Sequence, residues 1–252
     1  MEVIATCHVH SEWSYDGRFS LRELSEKFSH RGSRILLMTE HDRGFTSRRF
    51  EEYRDACAEA SSDKILVVPG IEYSDPANRV HVLVWGVPFL GEGLPTGEML
   101  EAVHSAEGAA VLAHPSRRGV WQDFERQWAE RLTGVEVWNR KYDGWAPSRN
   151  APQLLQSRKS IQFVGLDFHT DRQLFPLSMA LDLPGNVTED EVLKCLRAGQ
   201  LYARAFGFPL EHNLLRRTVP ALEIAERGRR KAASLVKRAK SSARWRSRYN
   251  NQ

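Results

Sequence analysis

Short apolar segments of this chain repeatedly run into, or begin at, a histidine or a carboxylate, and this repetition is its most constraining feature. Seven segments show it, at 5–10, 35–41, 65–72, 80–86, 111–114, 134–139 and 161–169. Successive side chains of a strand point to opposite faces, so residues i and i+2 share a face. His8 with His10, and Asp167 with His169, are therefore predicted to converge on one point.

Polar residues gathered at strand ends from distant parts of a chain are more typical of a metal centre than of a core. The set contains six of the nine histidines and three carboxylates: His8, His10, Asp16, His41, Glu72, His81, His114, Asp167 and His169. Imidazole and carboxylate together suit Zn, Mn or Fe. One tetrahedral site takes only about four ligands, so the set indicates two or three divalent metal ions. Glu72 and Asp167 are the candidate bridges, because each carboxylate has two oxygens.

Each member of the set has a simpler interpretation when it is taken alone. A lone histidine such as His114 is more often a hydrogen-bonded loop residue, and Asp16 before Gly17 is typical of a turn. Glu72 would ordinarily cap a helix or pair with a cation. Their joint occurrence at strand edges favours the metal centre.

Strand-like and helix-like segments alternate along residues 1–210. Helices are predicted at 20–28, 46–60, 98–107, 121–131, 151–157 and 188–205. The alternation indicates a mostly parallel sheet, open or closed into a barrel, and polar residues at the strand ends favour the barrel. His81 differs because it begins its strand, and an antiparallel return of that strand would bring it back near Glu72.

Charge divides the chain into a mildly acidic domain, residues 1–210, and a basic C-terminal tail, residues 211–252. The tail has twelve Lys and Arg against three Glu, a net charge of +9, which leaves −5 of the total +4 for the domain. Segment 221–248 is predicted to be either a basic helix or a disordered, solubilising end. A basic tail could bind nucleic acid or an anionic membrane, with binding that weakens as salt rises.

Cysteine content and hydropathy narrow the class of protein. Cys7, Cys57 and Cys195 are odd in number and widely spaced, which argues against a disulfide framework and against a thiolate zinc site. No segment approaches the ~18 apolar residues of a membrane span, and the N-terminus lacks the regions of a signal peptide. A cytoplasmic protein is expected.

The order of these motifs resembles the PHP (polymerase and histidinol phosphatase) domain superfamily. The matching motifs, within about residues 1–205, are His8-Val9-His10, Ser14-Tyr15-Asp16-Gly17, Thr39-Glu40-His41-Asp42, Pro69-Gly70-Ile71-Glu72, His81, Ala113-His114-Pro115 and Gly165-Leu166-Asp167-Phe168-His169. The resemblance implies an α/β fold, a distorted (β/α)7 TIM-like barrel. It also implies one metal within His8, His10, Glu72 and Asp167, a second within Glu72, His81 and His114, and a third within Asp16, His41 and His169.

Two departures from the family pattern bear on the site. Many members have a histidine where this chain has Asp16, so the third metal site is expected to differ in affinity or metal preference. Only 32 residues separate His81 from His114, which leaves no room for the inserted subdomain of some phosphodiesterase-like members. The substrate pocket should therefore be more open, or closed by the tail.

The resemblance implies a metal-dependent phosphoesterase that hydrolyses a phosphomonoester or a small phosphodiester with a metal-activated water. The implied catalytic residues are His8, His10, Glu72 and Asp167. Cations near phosphorus should assist phosphoryl transfer. The candidates are Arg43, Arg117, Arg118 and Arg172. Each of them could equally be a solvated charge in a loop. Asp42 is a candidate to orient a ligand histidine, and Glu136 is a weaker one.

Two other functions compete with this prediction. A metallohydrolase acting on C–N bonds would usually contain a carboxylated lysine, and no lysine is expected at a strand end in a ligand position. Outside the enzymes, the alternative is a nucleic-acid or anionic-surface binding protein with a structural or vestigial metal centre. The charge of +9 on residues 211–252 motivates that alternative.

Overall fold

The computed structural model describes residues 1–155 and 161–249, with side chains as far as residue 235. Within them the strands are β1 (Glu2–Val9), β2 (Ile35–Met38), β3 (Glu40–His41), β4 (Leu66–Val68), β5 (Gly70–Ser74), β6 (His81–Trp85), β7 (Ala109–Leu112), β8 (Gly134–Asn139), β9 (Ile161–Gly165), β10 (Leu177–Asp182), β11 (Leu201–Ala205) and β12 (Phe208–Pro209). They form two sheets, one in the order β12-β11-β10-β1-β2-β4 and the other in the order β3-β5-β6-β7-β8-β9.

The chain passes directly from the first sheet to the second through single-residue links at two places. β2 continues into β3 through Thr39, and β4 continues into β5 through Pro69. A parallel bridge between Val9 and Phe168 also joins the end of β1 to the segment that follows β9. The sheets therefore meet along a seam, and the strand ends that carry the candidate ligands lie at that seam.

The prediction of a mostly parallel sheet is wrong. Of the strand pairings in the described residues, five are parallel and five are antiparallel. β6 is antiparallel to both of its neighbours. The turn at residues 75–80, between β5 and β6, is too short for the crossover that a parallel strand needs. The fold is a mixed α/β fold with two sheets, and no closed barrel is formed among the described residues.

The helices are α1 (Leu21–Ser29), α2 (Ser47–Ala60), α3 (Thr96–Ser105), α4 (Glu189–Ala198) and α5 (Asn213–Tyr249). α1 begins with the predicted capping box, in which Ser20 and Glu23 satisfy each other's backbone N–H groups. α5 covers the predicted basic helix 221–248 and includes Pro220. Among the described residues no helix is both long and apolar enough to cross a bilayer.

Three predicted helices differ from the structure. Segment 121–131 lies in two short 3-10 helices, Arg117–Gln122 and Arg126–Glu130, and segment 151–157 gives another at Ala151–Leu154, with residues 156 and 157 outside the described residues. Segment 188–205 is helical only as far as Ala198, because Gly199 adopts a left-handed φ of 70° and ends the helix. β11 follows at once, and its antiparallel partner β10 was not predicted.

Large apolar side chains fill the interior between the strands and helices. Those with less than 2 % exposure include Trp85, Trp138, Tyr53, Tyr73, Phe163 and Phe168. Burying an ionisable group in such surroundings is costly unless the group is paired or binds a metal. The buried histidines and carboxylates at the seam therefore need a specific explanation.

Candidate metal centre

The nine predicted ligands come together in one cluster at the seam between the sheets. Eight of them are buried, and Asp16 has a side chain that is 38 % exposed. They originate from β1, β3, β5, β6 and the segments that follow β1, β7 and β9. Residues separated by up to 161 positions, from His8 to His169, are thus brought into contact.

Glu72 lies at the centre of the cluster and contacts histidines through both carboxylate oxygens. Its Oε1 is 2.7 Å from His81 Nδ1 and 2.8 Å from His114 Nε2. Its Oε2 is 3.1 Å from His41 Nδ1 and 3.5 Å from His10 Nε2. The antiparallel pairing of β5 with β6 returns His81 to Glu72, as the position of His81 at the start of its strand predicted.

Asp167 forms the second carboxylate centre of the cluster. Its Oδ1 is 3.3 Å from His169 Nδ1, 3.6 Å from His10 Nε2 and 3.9 Å from His8 Nε2. His114 Nε2 lies 3.9 Å from the other oxygen of this carboxylate. Like Glu72, Asp167 therefore has ring nitrogens near both of its oxygens, which is the arrangement that a bridging ligand needs.

Asp16 reaches the cluster from the loop after β1. Its two oxygens lie 3.2 Å from His41 Nε2 and 3.1 Å from His169 Nε2. The loop folds back closely on itself, since a Cβ atom at Gly17 would stand 1.9 Å from the Ser11 carbonyl oxygen. Only glycine therefore allows this path of the loop beside Asp16.

The residues present fit divalent metal ions. The Nε2 atoms of His8 and His10 are buried without a hydrogen-bond partner among the described residues, and those of His41 and His169 lie 3.2 and 3.1 Å from the oxygens of Asp16. Leaving a buried polar atom unsatisfied costs about 1–3 kcal/mol, and a bound cation would satisfy the Nε2 atoms of His8 and His10. Four triads have ligand atoms within 4.8 Å of one another: His10 with His41 and His169, His8 with His10 and Glu72, His8 with His114 and Asp167, and Glu72 with His81 and His114.

The charges around the centre of the cluster favour the protonation states in which Glu72 and His10 can bind a metal. Burial raises the pKa of Glu72, but the charges of His81 and His8 oppose burial and hold that pKa well below its ordinary value. Burial, together with His41 and His169, holds the pKa of His10 well below its ordinary value. Glu72 is accordingly ionised and His10 neutral at pH 7, and these are the forms that bind a metal.

Glu136 fixes the orientation of His8, a role for which the sequence made it only a weak candidate. Its Oε1 lies 2.8 Å from His8 Nδ1, and its Oε2 accepts hydrogen bonds from the His114 backbone N–H and the Asn139 amide. A carboxylate can only accept, so His8 is protonated at Nδ1 and Nε2 faces the cluster. Gly165 makes room for this contact, since a Cβ there would lie 1.8 Å from Oε1 of Glu136.

Glu40 orients His10 through a serine, and the sequence patterns missed this role. The buried Glu40 carboxylate accepts hydrogen bonds from the Ser11 N–H and hydroxyl and from the Ser14 hydroxyl. Ser14 Oγ in turn accepts from the His41 backbone N–H and lies 3.3 Å from His10 Nδ1. Because the Ser14 proton is directed to Glu40, the proton between Ser14 and His10 is on Nδ1, which leaves Nε2 free.

Asp42 does not contact a histidine, contrary to the predicted orienting role. Its Oδ2 accepts hydrogen bonds from the backbone N–H groups of Ser74 and Gly93, at 3.2 and 3.4 Å. Asp42 therefore holds two neighbouring loops in place at the edge of the site.

Two of the four predicted arginines line a cavity of about 420 Å³ that opens onto the cluster. Arg43 lies beside Tyr15, with its guanidinium 6.0 Å from the ring centroid. Arg117 is 9 % exposed, and its guanidinium donates to the carbonyl oxygens of Asn78 and Arg79 and to the Asn78 side chain. Its hydrogen bonds thus hold the loop 75–80 in place.

Arg118 and Arg172 are not among the residues that line this cavity. Arg118 donates to the Asn78 carbonyl oxygen from an exposed position. Arg172 is exposed in the 3-10 helix Asp171–Gln173. These two arginines were predicted because they follow His114 and His169 closely in sequence, but that proximity does not bring their side chains to the cavity.

Lys141 departs from the expectation that no lysine lies at a strand end in a ligand position, because it lies just beyond a strand end and contacts a candidate ligand. Lys141 follows β8 by two residues, and its Nζ donates to Asp167 Oδ1 at 3.0 Å. The next residue, Tyr142, places its ring centroid 4.6 Å from that of His114. Both side chains line the cavity, as does the exposed ring of Tyr15, which is stacked on His41 at 4.9 Å.

Three candidate ligands have backbone conformations that are uncommon for non-glycine residues. The φ angles are 61° for His8, 27° for His114 and 49° for Asp167. Each such conformation costs about 1–3 kcal/mol and is characteristic of functional sites. The surrounding hydrogen bonds, including the one from the His114 N–H to Glu136, hold this strain in the folded protein.

Solved structures share this fold, although no protein-family model and no curated protein matches the chain. A two-domain protein from Bacteroides vulgatus, named as containing a predicted PHP-like metal-dependent phosphoesterase, matches with a TM-score of 0.61 and 15 % identity over 86 % of this chain and 68 % of its own. PsfC from Pseudomonas syringae matches with a TM-score of 0.58 and 17 % identity over 92 % and 99 % of the two chains. The lesion-specific endonuclease PfuEndoQ from Pyrococcus furiosus matches with a TM-score of 0.56 and 14 % identity over 78 % and 56 %.

Fold and cluster together define an α/β protein with a candidate centre for several divalent metals. Its fold is shared with the Bacteroides vulgatus structure named as PHP-like, so the resemblance seen in the sequence motifs is confirmed at the level of the fold.

Proposed function

We propose that the protein is a metal-dependent phosphoesterase that hydrolyses a phosphomonoester or a small phosphodiester by attack of water. The observation that carries this proposal is the convergence of nine ligand-type side chains around Glu72 and Asp167, with the buried Nε2 atoms of His8 and His10 left unpaired among the described residues. Such a convergence has no use in a purely structural core, where unpaired polar atoms destabilise the protein.

Two or three ions of Mn, Fe or Zn would be held by the nine ligands, with Glu72 and Asp167 as the bridging groups. When bound, such ions lower the pKa of water toward ~7 and neutralise phosphate oxygens. His8 and His10 would contribute Nε2, because Glu136 and Ser14 engage their Nδ1 atoms. The protein's own part is to keep these rings in one orientation.

The cavity beside the cluster suits a small phosphorylated substrate. Its volume of about 420 Å³ is at the lower end of the range for ligand pockets. Arg43 and Lys141 supply positive charge to its lining, and Tyr15 and Tyr142 supply aromatic surface. A phosphate at the cluster would thus leave room for a leaving group of modest size.

Turnover of a generic aryl phosphate by the Mn- or Zn-loaded protein tests this function. We expect activity that is lost on chelation and in His10→Ala, because His10 contacts both carboxylate centres. His104→Ala is the matched control, since His104 is exposed on α3 and is not among the nine candidate ligands. A metal-loaded protein that hydrolyses no class of phosphate ester would count against the proposal.

Amide and lactone substrates belong in the same screen. Lys141 contacts Asp167, so the absence of a nearby lysine no longer argues against a C–N hydrolase. Hydrolysis of amides without hydrolysis of phosphate esters would move the assignment to that class.

A second candidate function is binding to nucleic acid or to an anionic surface through α5. Residues 231–235 of α5 are all exposed, and Arg227 and Lys231 have no carboxylate partner among the described residues. Ending the chain after residue 235 would remove the remaining basic turns and retain the contacts of the first part of α5. A salt-dependent affinity for duplex DNA or anionic vesicles that falls in this variant would support binding, and an unchanged isotherm would dismiss it.

A further inference from the structure

The turn after β8 aims Lys141 at the metal cluster. Asn139 organises this turn, because its side-chain oxygen accepts hydrogen bonds from the backbone N–H groups of Lys141 and Tyr142, at 3.0 and 3.2 Å. Lys141 Nζ then donates to Asp167 Oδ1 at 3.0 Å, while its side chain remains 30 % exposed in the cavity. The ammonium group therefore touches both a candidate metal ligand and the space for substrate.

No other lysine or arginine among the described residues pairs with a carboxylate of the cluster. Arg117 directs its donors to backbone and side-chain oxygens of the loop at Asn78. Arg43 is exposed and lies against the ring of Tyr15. Among the described residues, Lys141 is thus the cation of the cavity lining that pairs directly with a candidate metal ligand.

The first part of α5 holds this turn in place. Glu226 is 5 % exposed, and its carboxylate accepts a hydrogen bond from the Trp145 backbone N–H at 3.2 Å. It also pairs with Arg230, whose guanidinium donates to the carbonyl oxygens of Tyr142 and Asp143 at 2.8 and 2.9 Å. The C-terminal helix is thereby attached to the residues that directly follow Lys141.

Gly144 makes this attachment sterically possible. Its φ is +81°, and a Cβ atom on it would lie 2.3 Å from Oε1 of Glu226. The carboxylate therefore occupies the space that a side chain would fill. Outside the buried contact, Arg149 pairs with Glu223 one helical turn earlier on α5.

We propose that Lys141 binds the phosphate group of the substrate and that α5 positions it through Glu226 and Arg230. Without a metal, the Asp167 carboxylate neutralises the charge of Lys141. A divalent metal bound to Asp167 would compete with Lys141 for that carboxylate. The ammonium charge then becomes available to an anion in the cavity. This inference rests on the proposed function, and it makes the basic C-terminal segment a part of the site.

Binding of inorganic phosphate to the Mn-loaded full-length protein, measured by titration calorimetry, tests the inference without turnover. We expect Lys141→Met to weaken phosphate binding at least about tenfold, as for loss of a charged hydrogen bond, and Lys141→Arg to restore most of it. Mn binding should not weaken in Lys141→Met, because a cation that competes for Asp167 has been removed. Lys231→Met, which removes an exposed charge from the same helix, is the matched control and should bind phosphate normally.

Glu226→Gln and Arg230→Met test the positioning. Each should weaken phosphate binding in the wild-type background and have no further effect in the Lys141→Met background. Arg230 is 55 % exposed, so its variant is expected to fold even if Glu226→Gln does not.

Equal phosphate binding by wild type and Lys141→Met, or no phosphate binding by wild type, would overturn the inference. An undiminished effect of Arg230→Met in the Lys141→Met background would overturn the positioning by α5. If phosphate binding depends on Lys141 but no ester is hydrolysed, the inference stands and the proposed function fails.

Discussion

Glu136 Oε1 lies 2.8 Å from Nδ1 of His8, and Nε2 of the same ring points toward Glu72 at 3.6 Å. The two nitrogens of one imidazole thus have separate partners. A carboxylate on Nδ1 fixes the tautomer of a ligand histidine and makes its other nitrogen a stronger donor to a metal.

Glu136→Ala should weaken metal binding by about 10- to 100-fold, because His8 would lose the group that orients it. Glu136→Gln should have a smaller effect, since an amide oxygen can still accept the Nδ1 proton. Calorimetric titration with Mn measures both variants. Glu98→Gln, on the first turn of α3, is the control, and a wild-type affinity in Glu136→Ala would contradict the assigned role.

Metal binding should stabilise the folded protein by mass action. An ion that binds only the native state at about 100 times its Kd adds about 2.7 kcal/mol to the free energy of unfolding. Thermal unfolding with and without a chelator measures the difference. The stabilisation by metal should be smaller in His10→Ala and unchanged in His104→Ala. A wild-type melting temperature that does not change when the chelator is added would argue against a metal centre.

Metal binding should also release protons at pH 7. Burial lowers the pKa of His41, but hydrogen bonds to Asp16 and Glu72 outweigh burial and raise that pKa to about 10. His8 is likewise raised, against burial, by Glu136, Asp167 and Glu72. Both rings are therefore protonated in the metal-free protein, a metal must displace those protons, and metal affinity should rise with pH between pH 7 and the pKa of each ring.

Calorimetry in two buffers of different ionisation enthalpy counts the protons released. His10 should add none, because its pKa is already low. An enthalpy that is independent of the buffer would contradict the protonation states assigned to His8 and His41.

Gly17→Ala should displace the loop that carries Asp16, because the added Cβ would lie 1.9 Å from the backbone oxygen of Ser11. We expect a lower melting temperature and fewer metal ions bound per chain, both measured on purified protein. Gly97→Ala in α3 is the matched control, since a Cβ there meets nothing within 4 Å and favours the helix by up to about 1 kcal/mol. Equal behaviour of the two variants would show that the loop adapts without cost.

The alternation of side chains along a strand correctly predicted that His8 and His10 converge, but regular alternation is only part of the cause. The pairing of β1 with β2 shifts register between Cys7 and Val9, and His8 has a positive φ at this irregularity. Asp167 and His169 lie beyond the end of β9, where alternation no longer applies. The polar residues were found because they interrupt apolar segments, whereas the backbone irregularities that aim them depend on tertiary contacts.

The contacts around the ligands were harder to foresee. Glu40 stands beside a motif histidine and looked like part of the motif, yet it acts on His10 through Ser14. Lys141 belongs to a turn whose direction is set by Asn139 and by α5, and neither relation leaves a periodic signal. Short-range patterns reveal strands and caps, but partners separated by some 90 residues, such as Tyr142 and Arg230, appear only in the folded chain.

The passage of the chain from one sheet to the other at Thr39 and Pro69 has a consequence for unfolding. His8 belongs to the first sheet, whereas His41, Glu72 and His81 belong to the second. Ions coordinated by both groups would cross-link the two halves of the molecule, so that neither sheet could open without releasing them.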